Sequence, residues 1–180
     1  MELEKVWRLV YFMKKVVRLI VAVMLSLAMV SNVWAQVDLK DESGAKEAMV
    51  AEQTILDNEV SVTGVTRGQL LSSVELDLTN EGFGVAGISV LVLCHEAMER
   101  IRLNVYLEKK SGSSWKEINH RDFTWTKDDV EGDLSMVLVE YKVGALFSGD
   151  YRLRAVAAVK DLDSTMSEAM NTRTATLTFR

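Results

Sequence analysis

Hydrolytic chemistry needs a nucleophile, a base and an orienting group that converge in space, and this chain offers few side chains from which to build one. It holds two histidines, His95 and His120, and a single cysteine, Cys94. Neither histidine stands in a recognised catalytic signature, so the chain is expected to be no enzyme. Cys94 ends an apolar run and reads as a small buried side chain; alone, it cannot make an intramolecular disulfide. Asp128, Asp129, Glu131 and Asp133 could gather oxygen ligands for calcium, and Asp161 with Asp163 forms a second acidic pair. Their spacing is not that of an EF-hand, and acidic loops on an acidic chain are ordinarily solvated turns. No catalytic residue, metal or cofactor is therefore expected, with calcium at Asp128–Asp133 as the weaker alternative. The remaining chemistry is aromatic. Trp115, Phe123 and Trp125 fall close together, and Tyr106 lies on the outward register of a preceding strand. Aromatic side chains on a sheet face can stack on sugar rings or anchor a protein. Trp115, Trp125 and Tyr106 are accordingly the candidate binding residues, against the alternative that Phe123 and Trp125, two positions apart, cap the open end of a core.

These residues sit among segments of period two. Val74, Leu76 and Leu78 alternate with Glu75, Asp77 and Thr79, which describes a strand with one buried and one wet face, and Asn80-Glu81-Gly82-Phe83-Gly84 closes it. The run from Ile88 to Cys94 is almost wholly Val, Leu and Ile and predicts a central strand covered on more than one side. Ile101, Leu103, Val105 and Leu107 alternate with polar residues before the loop Lys109–Ser114 and the strand Trp115–Asn119, a hairpin. Leu134, Met136 and Leu138 mark another strand, Tyr151–Val159 a sixth, and Thr174–Phe179 a seventh with Ala175, Leu177 and Phe179 inward. Seven strands in one unit after Val60 predict an all-β, antiparallel sandwich over 60–180.

Ahead of it, residues 36–59 are acidic and show no strand alternation, and read as a disordered linker in which Ala45–Leu56 could at most make a short helix. Residues 1–35 read as a signal peptide: Met13-Lys14-Lys15 opens a charged region, Val16–Val30 is apolar, Ser31-Asn32 breaks the run, and Val33-Trp34-Ala35 has the form a signal peptidase cleaves. Met13 opens a cleaner leader than Met1, which Glu2 and Glu4 follow, so translation is expected to start there. The apolar stretch falls short of the ~20 residues a membrane span needs. A secreted, extracellular protein with no membrane attachment after cleavage is expected. The formal net charge is −5, and because Lys5, Arg8, Lys14, Lys15 and Arg18 all lie before Ala35, the chain from Gln36 onward is more acidic still. Such a balance repels phosphate backbones, so nucleic acid is not an expected partner.

The segment Leu146-Phe147-Ser148-Gly149-Asp150-Tyr151-Arg152-Leu153-Arg154-Ala155-Val156-Ala157 resembles the E–F corner and F strand of a fibronectin type III domain, with Tyr151 as the corner tyrosine. The hairpin Leu103–Ile118 is similar to the C–C′ region of the same family, and the likeness runs from about Leu71 to Phe179. It implies an immunoglobulin-like fold and a Tyr151 hydroxyl bonded back to nearby backbone. Signal peptide, single domain and this hairpin-plus-corner pattern together resemble small secreted proteins of Gram-positive anaerobes, a likeness that implies export and fold. The expected function is a secreted, non-catalytic binding or adhesion-type module for an extracellular protein or glycan. The alternatives are a secreted hydrolase or inhibitor with an unrecognised site, or a structural spacer of the cell envelope.

Overall fold

Val74, Leu76 and Leu78 are fully buried while Glu75 and Asp77 between them are partly exposed, the two-residue rhythm of a strand lying on a core. The computed structural model describes residues 45–180, and there this rhythm builds two sheets. The strands are β1 (Lys46–Glu47), β2 (Met49–Ile55), β3 (Glu59–Val65), β4 (Leu71–Gly82), β5 (Val85–Cys94), β6 (Met98–Ser111), β7 (Ser114–Thr126), β8 (Met136–Val143), β9 (Gly149–Asp161), β10 (Ser167–Arg173) and β11 (Leu177–Phe179). Sheet I has the order β1-β10-β9-β6-β7, with β11 also pairing β9; sheet II has the order β2-β3-β4-β5-β8. Neighbours are antiparallel except β1 and β10, which run parallel through Lys46↔Met170 and Glu47↔Asn171.

One hydrophobic cluster joins the inward residues of both sheets: Val60, Leu76, Val90 and Val139 from sheet II, and Leu103, Val105, Leu153 and Ala157 from sheet I. The arrangement is sandwich-like. The chain crosses between sheets at Ala48, whose N–H donates to the Asn171 carbonyl. Opposite that crossing lies Gly64, where a Cβ would stand 2.7 Å from the Ala48 Cβ and 2.7 Å from the Thr172 hydroxyl, so only glycine lets β3 close against it. β10 and β11 are one strand interrupted at Thr174: its side-chain hydroxyl accepts the Leu153 N–H at 3.0 Å where a ladder carbonyl would have stood.

The described residues hold eleven strands rather than seven, and four of the expectations need correction. The linker and the short helix are replaced from Lys46 onward by β1 and β2; every residue of β2 is exposed, so no hydrophobic alternation marks it, and its backbone pairing with β3 makes it a strand. β10 was missed because, of its apolar residues, only Met170 enters the core, and β3, in which Val60 and Val62 alternate with Ser61 and Thr63, also lies outside the seven expected strands. The Leu134 strand has the opposite face inward: Val137 and Val139 are buried, while Met136 and Leu138 are 59% and 55% exposed. The β5 run is not covered on both sides; Leu91 and Leu93 are half-buried on its outer side, opposite Leu138 and Met136. Residues 1–35, read as a signal peptide, and 36–44 lie outside the described residues.

Candidate functional site

A β-bulge decides which aromatic faces where. Trp115 and Trp125 are ten positions apart on β7, so strict alternation would place both on one face. The pairing of β6 with β7 slips at Leu107/Glu108, where Asn119 and Glu117 face successive partners and Ile118 is the extra residue. The slip inverts the register. Trp125, opposite the buried Ile101, packs against the core together with Phe123, and the two rings stack with centroids 5.8 Å apart. Phe123 also leans on Tyr141 at 6.2 Å, and the Arg121 guanidinium lies 4.2 Å over that same ring. These side chains close the edge between β7 and β8. Burial pushes the Tyr141 phenol up to about 12, which the nearby Arg121 charge only partly opposes.

Trp115 goes the other way, onto the outward face of sheet I, and there it meets two arginines that sequence reasoning did not single out. Arg152 and Arg154 share that face of β9, two residues apart. The Arg152 guanidinium lies 4.3 Å over the Trp115 ring, and its Nε donates to Glu108 Oε2 at 2.6 Å. Arg154 donates from Nε to Glu108 Oε1 at 3.1 Å and lies 3.8 Å over the Tyr106 ring. The other neighbour of Tyr106 is His120, stacked at 4.3 Å, and His120 Nε2 reaches Asp122 Oδ1 at 2.6 Å. The result is a continuous ladder of Trp115, Arg152, Glu108, Arg154, Tyr106, His120 and Asp122. Tyr106 is outward as expected yet only 5% exposed, because arginine and histidine cover its ring. It supports the arginines rather than presenting itself. The signal in the sequence was there: Arg152 and Arg154 alternate with the inward Tyr151, Leu153 and Ala155, and Glu108 follows the buried Leu107 of β6.

The other candidates take structural work. Cys94 is a neutral thiol, since burial and, secondarily, the Glu168 charge push it up to about 12. His95 is exposed beyond β5, its backbone N–H bonded to the Leu70 carbonyl. Asp129 caps the 3-10 turn Lys127–Asp129, accepting from the Thr126 N–H at 2.7 Å and its hydroxyl at 2.8 Å; the backbone bond first, then the hydroxyl, hold its carboxyl below the usual range. Asp161 likewise accepts from the Ser164 hydroxyl, which lowers it. Among the described residues no three His, Cys, Asp or Glu side chains group as a metal site, and no helix is long and apolar enough to cross a membrane. The outer face of sheet II carries a shallow depression of about 370 Å³ over Gly87, walled by Asp77, Thr79, Glu81, Glu140 and Lys142; the Lys142 ammonium is tied to Glu81 at 2.6 Å. Compared with protein-family models and with curated proteins, the chain finds no match.

Proposed function

We propose that this chain is an exported, non-catalytic binding module of fibronectin type III kind, which engages an extracellular protein or glycan through the outward face of sheet I. The observation that carries the reading is the ladder itself. Trp, Tyr and Arg are the residue types that dominate binding energy at interfaces, and here both arginines are held in place before any partner arrives, which lowers the ordering cost of association. The fibronectin type III reading draws support from the order of strands. β6–β7 and β9–β10 fall where the C–C′ and F–G hairpins of that family would, and β4-β5-β8 where its opposite sheet would. Tyr151 adds to it, since its hydroxyl donates to the Phe147 carbonyl at 2.5 Å, the bond expected of a corner tyrosine. Export rests on the leader-like pattern before Ala35 and is checked by the amino terminus of secreted material, expected at Gln36. The binding role is tested by screening the protein and its Trp115→Ala variant on glycan and surface-protein arrays beside a hydrolase substrate panel. A ligand retained by the wild type and lost by the variant supports the reading; turnover of a substrate overturns it.

A further inference from the structure

The two outer faces of this acidic domain differ in sign. On sheet I the outward register places Arg100, Arg102, Lys110, Arg152, Arg154, Lys160 and Arg173 against Glu47, Glu108, Glu117 and Asp122, with Glu99 at the β6 bulge paired to Lys160. On sheet II it places Glu52, Glu59, Glu75, Asp77 and Glu140 beside Lys142. A face with a basic excess on a chain whose net charge is −5 selects its partners by sign at short range, while the acidic remainder opposes indiscriminate binding to anions.

The chemistry of the basic face is specific beyond its sign. A guanidinium has five N–H donors in a planar fork suited to carboxylate and sulfate oxygens. Glu108 takes the Nε–H of each arginine and can neutralise only one of the two charges. Beneath, Trp115 and Tyr106 fix the guanidinium planes. Alternation sets the Arg152 and Arg154 backbones about 7 Å apart along β9, and the shared Glu108 carboxylate draws the two guanidinium groups toward one another. Trp115 is half-buried, so part of its indole remains open for stacking. Since Arg154, His120 and Glu108 fill the space around Tyr106, the face lacks the deep recess into which a protein hot spot inserts an apolar anchor. A chain that lies along the strands fits better.

Building on the binding-face reading above, we propose that the ligand is an anionic polysaccharide, carrying carboxylate or sulfate groups, with Arg152 and Arg154 gripping the anions and Trp115 stacking on a sugar ring. The experiment is calorimetric titration of the full chain with heparin, polygalacturonate, neutral dextran and a DNA oligonucleotide of matched length, at low and high salt. Expected is binding to one or both acidic polysaccharides that weakens as salt rises, with dextran inert and DNA at least tenfold weaker. Trp115→Ala and Arg152→Lys should each reduce affinity roughly tenfold, the second because lysine keeps the charge but not the planar fork. Secreted material that begins at Gln36 should bind as the full chain does, which separates this face from the basic residues Lys5, Arg8, Lys14, Lys15 and Arg18 of the leader. Unfolding midpoints identify any variant that has lost its fold; Trp115, being half-buried, is the variant expected to keep it. The proposal is overturned if neither acidic polysaccharide binds, if DNA binds as tightly, or if both face variants bind as the wild type does. Trp115-dependent binding of dextran or of an arrayed protein overturns the ligand class and leaves the binding face standing. Absence of any Trp115-dependent ligand overturns both.

Discussion

The Tyr151 ring is 1% exposed, lies edge-on to Phe179 with centroids 4.9 Å apart, and spends its hydroxyl on the Phe147 carbonyl. Tyr151→Phe keeps the ring and leaves that carbonyl without its donor, so stability should fall by about 1–2 kcal/mol; a urea midpoint unmoved from the wild type would show that water repairs the loss. Phe83 presents the opposite case. It stands at φ 52 between Gly82 and Gly84, both also at positive φ, and its side chain is fully exposed. A non-glycine residue in the left-handed region costs roughly 1 kcal/mol, and this ring buries nothing in return. Phe83→Asn, which tolerates that conformation far better, should raise the unfolding midpoint by an amount worth about 0.5 kcal/mol. A lower midpoint would mean that the ring packs against something in solution.

Elements explain why single side chains act as they do. The bulge in β7 assigns Trp125 to the core edge and Trp115 to the outer face, so Trp125→Ala should cost about 2–3 kcal/mol, less than a fully buried tryptophan, and Trp115→Ala under about 1 kcal/mol. Equal losses in thermal or chemical denaturation would place both indoles in one environment. β10 is secured to the segment ahead of β4 by Glu168, whose Oε1 accepts from the Thr66 hydroxyl at 2.9 Å and whose Oε2 accepts from the Leu70 and Leu71 N–H groups at 2.9 and 3.1 Å. A Cβ at Gly68 would meet that carboxylate first, so a larger residue there would have to displace Glu168 from these bonds. Partial burial works to raise the Glu168 pKa, but the bonds from Leu70, Leu71 and Thr66, with the Lys46 charge, together outweigh it and hold it below its ordinary value. A depressed carboxylate contributes stability that is present above its unfolded pKa and lost as pH falls through the folded one. The wild type should therefore lose stability as acidity increases below the ordinary glutamate range, and Glu168→Gln should start lower at neutral pH and lose less on acidification; parallel pH profiles would rule the clip out. Core strands of this kind were legible: Leu103, Val105 and Leu107 announce β6 by alternation alone. β2 was not, because pairing rather than burial defines it; the core-capping alternative for Phe123 and Trp125 already set Trp125 apart from Trp115, but the extra residue at Ile118 that turns the two indoles to opposite faces leaves no mark in composition. The arginine ladder escaped notice for a related reason: Arg152 and Arg154 look like ordinary outward residues until β6 brings Glu108 and Tyr106 beside them.

At the scale of the whole molecule, long-range pairing dominates. Lys46 pairs with Met170, β5 joins β8 in sheet II across the intervening β6 and β7, and β6 joins β9 across the intervening β7 and β8. Closing such loops must precede the contacts that reward it, so folding should be slow for a domain of this size, in the millisecond-to-second range typical of all-β sandwiches. Two common causes of still slower phases are missing from this sequence. It contains no proline and only one cysteine. Prolyl isomerisation, which adds steps of about 10–100 s at 25 °C, has no X–Pro bond on which to act, and disulfide reshuffling within the chain has no second thiol. Refolding from urea, followed by tryptophan fluorescence, should then have no phase of that duration, and its amplitude should not depend on how long the chain has been held unfolded. A double-jump experiment reads this directly: after unfolding delays from one second to ten minutes, the fast-refolding fraction should stay constant, with or without reductant. A slow fraction that grows with the delay would overturn the prediction, because it would require a slowly isomerising bond in a chain without proline. A slow phase that scales with protein concentration would instead report association between copies before each domain has closed its own core.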